Sequence, residues 1–130
     1  MAHNERFQFS VRVLAVLASE PGVMHTSESI AGKLKKNAVM VRRAFRPLHK
    51  SGLIVQRKGP HGGAKLKISP KQIRLGDVFE ATSGRWISGK GKPLAGLMEK
   101  LRADAVNAMN HHSLAQVLKK MQKQGVGSRV

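Results

Sequence analysis

A mainly α-helical domain with one small β-hairpin is the fold this sequence predicts, and three observations predict it. Apolar residues recur at helical spacing from Phe7 to Ser19 and again through SESIAGKL and VMVRRAFRPLHK. The period then shortens to two strand-like runs, LIVQRK and AKLKI, on either side of GPHGG. Helical stripes return from Leu94 onward, after a segment rich in glycine.

The first helix, Phe7 to Ser19, has Phe7, Val11, Leu14 and Ala18 on one stripe, and Phe9, Val13, Val16 and Leu17 broaden it. So wide a stripe predicts burial on two sides. Glu20, Pro21 and Gly22 end it. Thr26 or Ser27 can cap the next helix, with Ser29 at the capping-box offset. Ile30, Ala31 and Leu34 then face inward, while Lys33, Lys35 and Lys36 point out.

Asn37 caps a third helix from Ala38 to about Lys50, and Ser51-Gly52 stops it. Val41, Ala44, Phe45 and Leu48 fall at i, i+3, i+4 and i+7, which defines a core side and leaves Val39, Met40, Arg42, Arg43 and Arg46 outside. Arginines beside small apolar residues suit a major groove, where Arg reaches guanine edges and apolar groups touch thymine methyls. The competing reading is that these arginines solubilise the helix or touch phosphates alone. Pro47 removes one helix hydrogen bond and crowds the carbonyl of Arg43, so a kink or a break is expected there.

The runs from Leu53 and Ala64 form a hairpin around GPHGG, with Arg57, Lys58, His61, Gly62 and Lys65 on or beside its tip. Two short helices, a turn and a basic hairpin, in this order, are the arrangement of a winged helix-turn-helix, whose wing crosses phosphates or enters the minor groove. Ser27, at the start of the second helix, joins Asn37, Val39, Met40, Arg42, Arg43 and Arg46 and the wing residues as candidate DNA contacts. Ile73, Leu75, Val78 and Phe79 support a short packing helix.

Residues 1–82 are therefore expected to form the DNA-binding domain and 83–93, SGRWISGKGKP, a linker. Trp86 within it either anchors the linker or lines an effector pocket. From 94 to 124 a helical dimerisation region is expected, with Leu94, Leu97, Met98, Leu101, Ala105, Ala108 and Met109 as a narrow seam. A last helix carries Leu114, Val117, Leu118 and Met121 after a Ser113 cap, and 125–130 form a flexible tail. His111 and His112 are adjacent, point different ways and lack acidic or thiol companions, which argues against a metal site.

Composition bounds the function. A net charge of +17 on 130 residues attracts polyanions, and nucleic acid is the expected partner. With no cysteine the chain has no disulfide and no thiol-held metal or iron-sulfur centre, in keeping with a reducing, cytoplasmic setting. The apolar run VLAVLA is too short to span a bilayer, so no membrane association is expected. Paired carboxylates and nucleophile-base signatures are missing, so an enzyme is not expected, nor any cofactor.

The order of FSVRVLAVLA, SESIAGKL, VRRAFRPLHKSGLIVQRKGPHGGAKL, IRLGDVFEA and HHSLAQVL resembles the Rrf2 family of bacterial winged-helix repressors over nearly the whole chain. Leu48 with Gly52-Leu53, and Gly59-Pro60 with Gly62-Gly63, are the most specific pieces. The resemblance implies DNA readers at Asn37, Val39, Met40, Arg42 and Arg43 and, in the wing, at Lys58, His61 and Gly62. It also implies that the helix after the linker pairs two subunits. Members that sense iron, nitric oxide or redox state hold a cluster on cysteines where this chain has SGRWISGKGKP, so cluster sensing by that route is excluded on ligand chemistry. The chain thus resembles a cluster-free branch, with a small molecule or a partner protein as its effector. A homodimeric repressor on a pseudo-palindromic operator is the first expectation, and a nucleoid protein binding through charge alone is the alternative.

Overall fold

The computed structural model describes residues 3–83 and 94–123. Its elements run α1 (His3–Ser19), α2 (Ser27–Leu34), α3 (Ala38–Lys50), β1 (Ile54–Arg57), β2 (Gly63–Leu66), α4 (Leu75–Thr82), α5 (Ala95–Met109) and α6 (Leu114–Lys123). The fold class expected from the sequence is a mainly α winged helix-turn-helix with a small β-hairpin and a long C-terminal dimerisation helix; the helical fold and the two-stranded hairpin are observed, and two helices, α5 and α6, occupy the C-terminal region. Trp86, most of the linker and the tail lie outside the described residues.

Local chemistry sets the helix boundaries. The Thr26 hydroxyl accepts from the Ser29 amide at 3.0 Å, and the Asn37 side chain accepts from the Met40 amide at 3.0 Å, each filling an orphan donor of a first turn. Between these two helices Lys35 takes the left-handed conformation, φ 56°, while its amide still reaches Ala31. That unfavoured backbone makes the turn that crosses α2 over α3. At the far end of α3 the Gly52 amide donates to His49 and the Leu53 amide to Leu48, both at 3.0 Å. This double bond pattern requires a positive φ, and Gly52 supplies it at 78°.

Pro47 does not break α3. The helix continues to Lys50 and the Ser51 amide donates to the Pro47 carbonyl at 3.0 Å. Phe45 and Leu48, on either side of the proline, are both seated in the core, and their burial outweighs one missing backbone bond.

The core forms between α1 and the rest. Val13, Leu14, Val16 and Leu17 are fully enclosed, as the wide stripe predicts, and meet Ile30, Val41, Phe45, Leu48, Ile54, Ile73 and Val78. Phe7 and Phe79 meet edge to face with centroids 6.1 Å apart, which fastens α1 to α4. The hairpin is antiparallel, with Ile54 opposite Leu66 and Arg57 opposite Gly63. A third short segment completes it, because His25 exchanges both backbone bonds with Ala64, at 2.8 and 2.9 Å. Gly63 permits this approach: a Cβ there would lie 2.2 Å from the His25 carbonyl oxygen, and its φ of 135° suits glycine alone.

The chain from 94 to 123 divides in two. α5 has no fully buried residue and rests on α4, joined by an ion pair of Arg102 with Glu80 and by a close crossing of Gly76 against Asn110 and Val106. α6 returns to the winged body, where Leu114 is fully enclosed and Val117 and Leu118 pack beside it. Backbone bonds from Leu114 to Ile73 at 2.7 Å and from Leu75 to His112 at 2.9 Å fix that return. If Leu114 belongs to the same core as α1, Leu114→Ala should lower the unfolding free energy by about 2–5 kcal/mol in a single cooperative transition. Urea denaturation followed by circular dichroism checks this; a separate low-stability transition would show α6 to be independent of the body.

Candidate nucleic-acid interface

Burial of one face of α3 decides what the other face presents. With Val41, Ala44, Phe45 and Leu48 turned inward, Val39, Arg42, Arg43 and Arg46 are exposed and Met40 is half-buried. Val39 is 45% exposed, much as Val23 is at 47%, and adds a small apolar group to the arginine face. Asn37 is also exposed, although its side-chain oxygen is engaged by the cap.

The wing stands beside this face. A groove of about 460 Å³ opens between the start of α2, Arg42 and Phe45 of α3, and the hairpin from Gln56 to Gly63. Arg57, Lys58 and His61 are exposed, and Lys65 is half-buried on β2 opposite Val55. Gly62 is buried, with its amide donating to the Gly59 carbonyl at 3.0 Å, so it shapes the wing loop from within. Of the expected contacts, Ser27, Arg42, Arg57, Lys58 and Gly62 line this groove, Ser27 as a buried hydroxyl, whereas Met40 and Arg43 line a separate cleft beside Arg6, Phe9 and Ser10 of α1.

Ser27 belongs to a polar cluster that its sequence position does not disclose. Its hydroxyl donates to Glu28 Oε1 at 3.1 Å and accepts from Arg42 Nη1 at 3.1 Å, and the same Nη1 donates to Glu28 Oε2 at 3.1 Å. Glu28 is therefore a residue of the interface that periodicity missed; a lone acid in a basic stretch was the available signal. Its own backbone amide and then the Ser27 hydroxyl hold the carboxyl below the usual glutamate range, burial works weakly the other way, and the Arg42 charge adds to the lowering.

The seam expected on α5 separates into two faces. Met98, Ala105 and Met109 are half-buried toward the body, whereas Leu94, Leu97 and Leu101, at 55, 55 and 46%, and Ala108 are exposed. Among the described residues no cluster of His, Asp and Glu is arranged to hold a metal ion, and no helix is long and apolar enough to cross a membrane.

With this geometry the family can be stated. A model of Rrf2, described as an iron-dependent transcriptional regulator, matches residues 3–126. The chain belongs to the Rrf2 family. It is a DNA-binding transcription regulator by that membership, in a family of transcription factors rather than enzymes. Solved Rrf2 structures share its fold. CymR of B. subtilis, described as the global cysteine regulator of that organism, is 20% identical with a TM-score of 0.68 over 90% of this chain and 95% of its own. IscR of T. potens is 21% identical with a TM-score of 0.70, over 95% of this chain and 90% of its own. The oxidized form of Staphylococcus aureus CymR is 20% identical with a TM-score of 0.66, over 90 and 95%. No curated protein matches the chain.

Because its pKa is lowered in the folded chain, Glu28 contributes stability that is present above its unfolded pKa and is lost as pH falls through the folded value. A carbon-detected NMR titration should place its midpoint below the ordinary 4.5 and move it upward in Ser27→Ala. A midpoint at or above that value would show that the Ser27–Glu28–Arg42 cluster does not persist in solution.

Proposed function

We propose that this Rrf2 regulator is a homodimeric, sequence-specific repressor acting in the cytoplasm on a pseudo-palindromic operator. The observation that carries the reading is the outer face of α3, where Arg42, Arg43, Arg46 and Val39 are all exposed and Arg42 lines a groove shared with a cationic wing. Arginine forks suit guanine edges and a valine suits a thymine methyl, so this face is equipped for base edges as well as phosphates. Asn37 and Met40 flank it, and Arg57, Lys58, His61 and Lys65 supply the wing's contacts with the backbone or minor groove. Ser27 and Gly62 serve from behind, the first by bonding Arg42 and the second by shaping the loop.

The dimer follows from α5. Leu94, Leu97, Leu101 and Ala108 form an apolar stripe that is exposed among the described residues, and a second copy related by a two-fold axis would cover it and set two recognition helices on one palindrome. Met98, Ala105 and Met109 would support that surface from its inner side. An effector would be a small molecule or a partner protein, since this chain has no cysteine to hold a cluster.

Selection of bound duplexes from a random pool tests the reading: an enriched inverted repeat supports it, and enrichment of nothing supports binding by charge alone. On the selected operator Arg43→Ala should relax preference at one or two positions per half-site, at a cost of about 1–3 kcal/mol per lost bidentate contact. Lys58→Ala should instead weaken all duplexes and reduce the log K against log salt slope by about one per lost phosphate contact. Equal losses on operator and random DNA for Arg43→Ala would reassign that arginine to phosphate.

Assembly has its own test. Leu97→Asp with Leu101→Asp puts charge into the stripe, where an unpaired buried carboxylate costs several kcal/mol, and should yield folded monomers of low operator affinity. Sedimentation of that variant as an intact dimer would move the interface elsewhere.

A further inference from the structure

Glu28 is the sole acid between Glu20 and Asp77, a span otherwise rich in lysine and arginine, and it sits at the mouth of the groove between recognition helix and wing. A carboxylate there weakens attraction to phosphate. The pair it makes with Arg42 is half to mostly exposed, at 50 and 71% of the two side chains, and exposed pairs add little to folding stability. General DNA affinity does not account for it, and the favourable place of an acid in the first turn of α2 explains the carboxylate but not its bond to Arg42.

We propose that Glu28 is a specificity-positioning residue that presents the Arg42 guanidinium to a neutral base edge and withholds it from phosphate. The inference rests on the reading of α3 as a base-reading helix. Arginine has five N–H donors, and the two on Nη1 are taken by Ser27 Oγ and Glu28 Oε2. Three remain on Nη2 and Nε, enough for the paired acceptors O6 and N7 of a guanine. A guanine edge carries no net charge and tolerates the carboxylate on the far side of the guanidinium. A phosphate taking the same donors would lie within a few ångströms of a second anion and be repelled. The Ser27 hydroxyl secures the other carboxylate oxygen, so both oxygens of Glu28 are engaged and the side chain is held in one orientation. Arg42 is thereby ordered before it meets DNA, which reduces the entropy lost on binding.

The test uses the full chain as wild type, Glu28→Gln, Arg42→Ala and the double variant, each titrated with random-sequence duplex and with the duplex selected by the wild type. Glu28→Gln should bind random duplex about fivefold more tightly per recognition helix, the size of one carboxylate–phosphate repulsion across a few ångströms of water. Its operator affinity should not rise in step, so the ratio of operator to random binding falls by about that factor. In the Arg42→Ala background the same substitution should shift both duplexes equally, because the ratio depends on Arg42. Unchanged melting of Glu28→Gln separates these effects from folding. An unchanged operator-to-random ratio in Glu28→Gln alone would overturn the positioning role while leaving base reading intact. Failure of the wild type to enrich any sequence would overturn base reading itself, and the role of Glu28 with it.

Discussion

The inward seating of Val41, Ala44, Phe45 and Leu48 against α1 is the constraint on which the rest of the structure depends. A helix has one rotation about its axis, and once four apolar side chains fix that rotation the remaining positions have no freedom in where they point. The arginines of α3 are outward because phenylalanine and leucine are inward. The same packing carries α3 through Pro47, a position where the local backbone alone would stop it. It also places the end of α3 so that Gly52 can turn the chain into β1, and the wing inherits its position from that turn.

Around this frame the electrostatics are lopsided by design of the sequence. Cations surround the groove, and their field acts at long range on any polyanion regardless of its bases. On the base-reading proposal, discrimination comes from short-range geometry, and two features would supply it. One is an exposed valine, which gains from a methyl group and nothing from a phosphate. The other is a carboxylate bound to the arginine beside the wing.

Much of this was legible in the residues themselves. Thr26 and Asn37 cap where their side-chain chemistry says they should, Gly52 ends α3, and the i, i+3, i+4, i+7 series from Val41 names the core face correctly. What the sequence left dark concerns partners distant along the chain. The bond from Arg42 to Glu28 spans fourteen residues and belongs to no repeating pattern. His25 reads as a loop residue, yet its backbone completes the sheet. Periodicity shows that Leu114 and Leu118 share a face, without naming the surface that receives it, and that surface is the winged body. The α5 stripe divides for the same reason: spacing marks Leu97 and Met98 alike as apolar, and only packing against α4 separates them. Pro47 is the reverse case, a strong local signal overridden by burial on both sides.

The return of α6 has a mechanical consequence. The second half of α5 is held by α4, through Arg102 with Glu80 and the close crossing of Gly76 with Val106 and Asn110, and its end by backbone bonds that lead into an enclosed Leu114. The clamp lies at one end of the helix, and the outer leucines Leu94 and Leu97 project from the other. From α5 the packing runs to α4, then through the Phe7–Phe79 contact to α1, the helix against which α3 is seated. The exposed leucines of α5 and the outer face of α3 are thus the two ends of one unbroken series of packed helices.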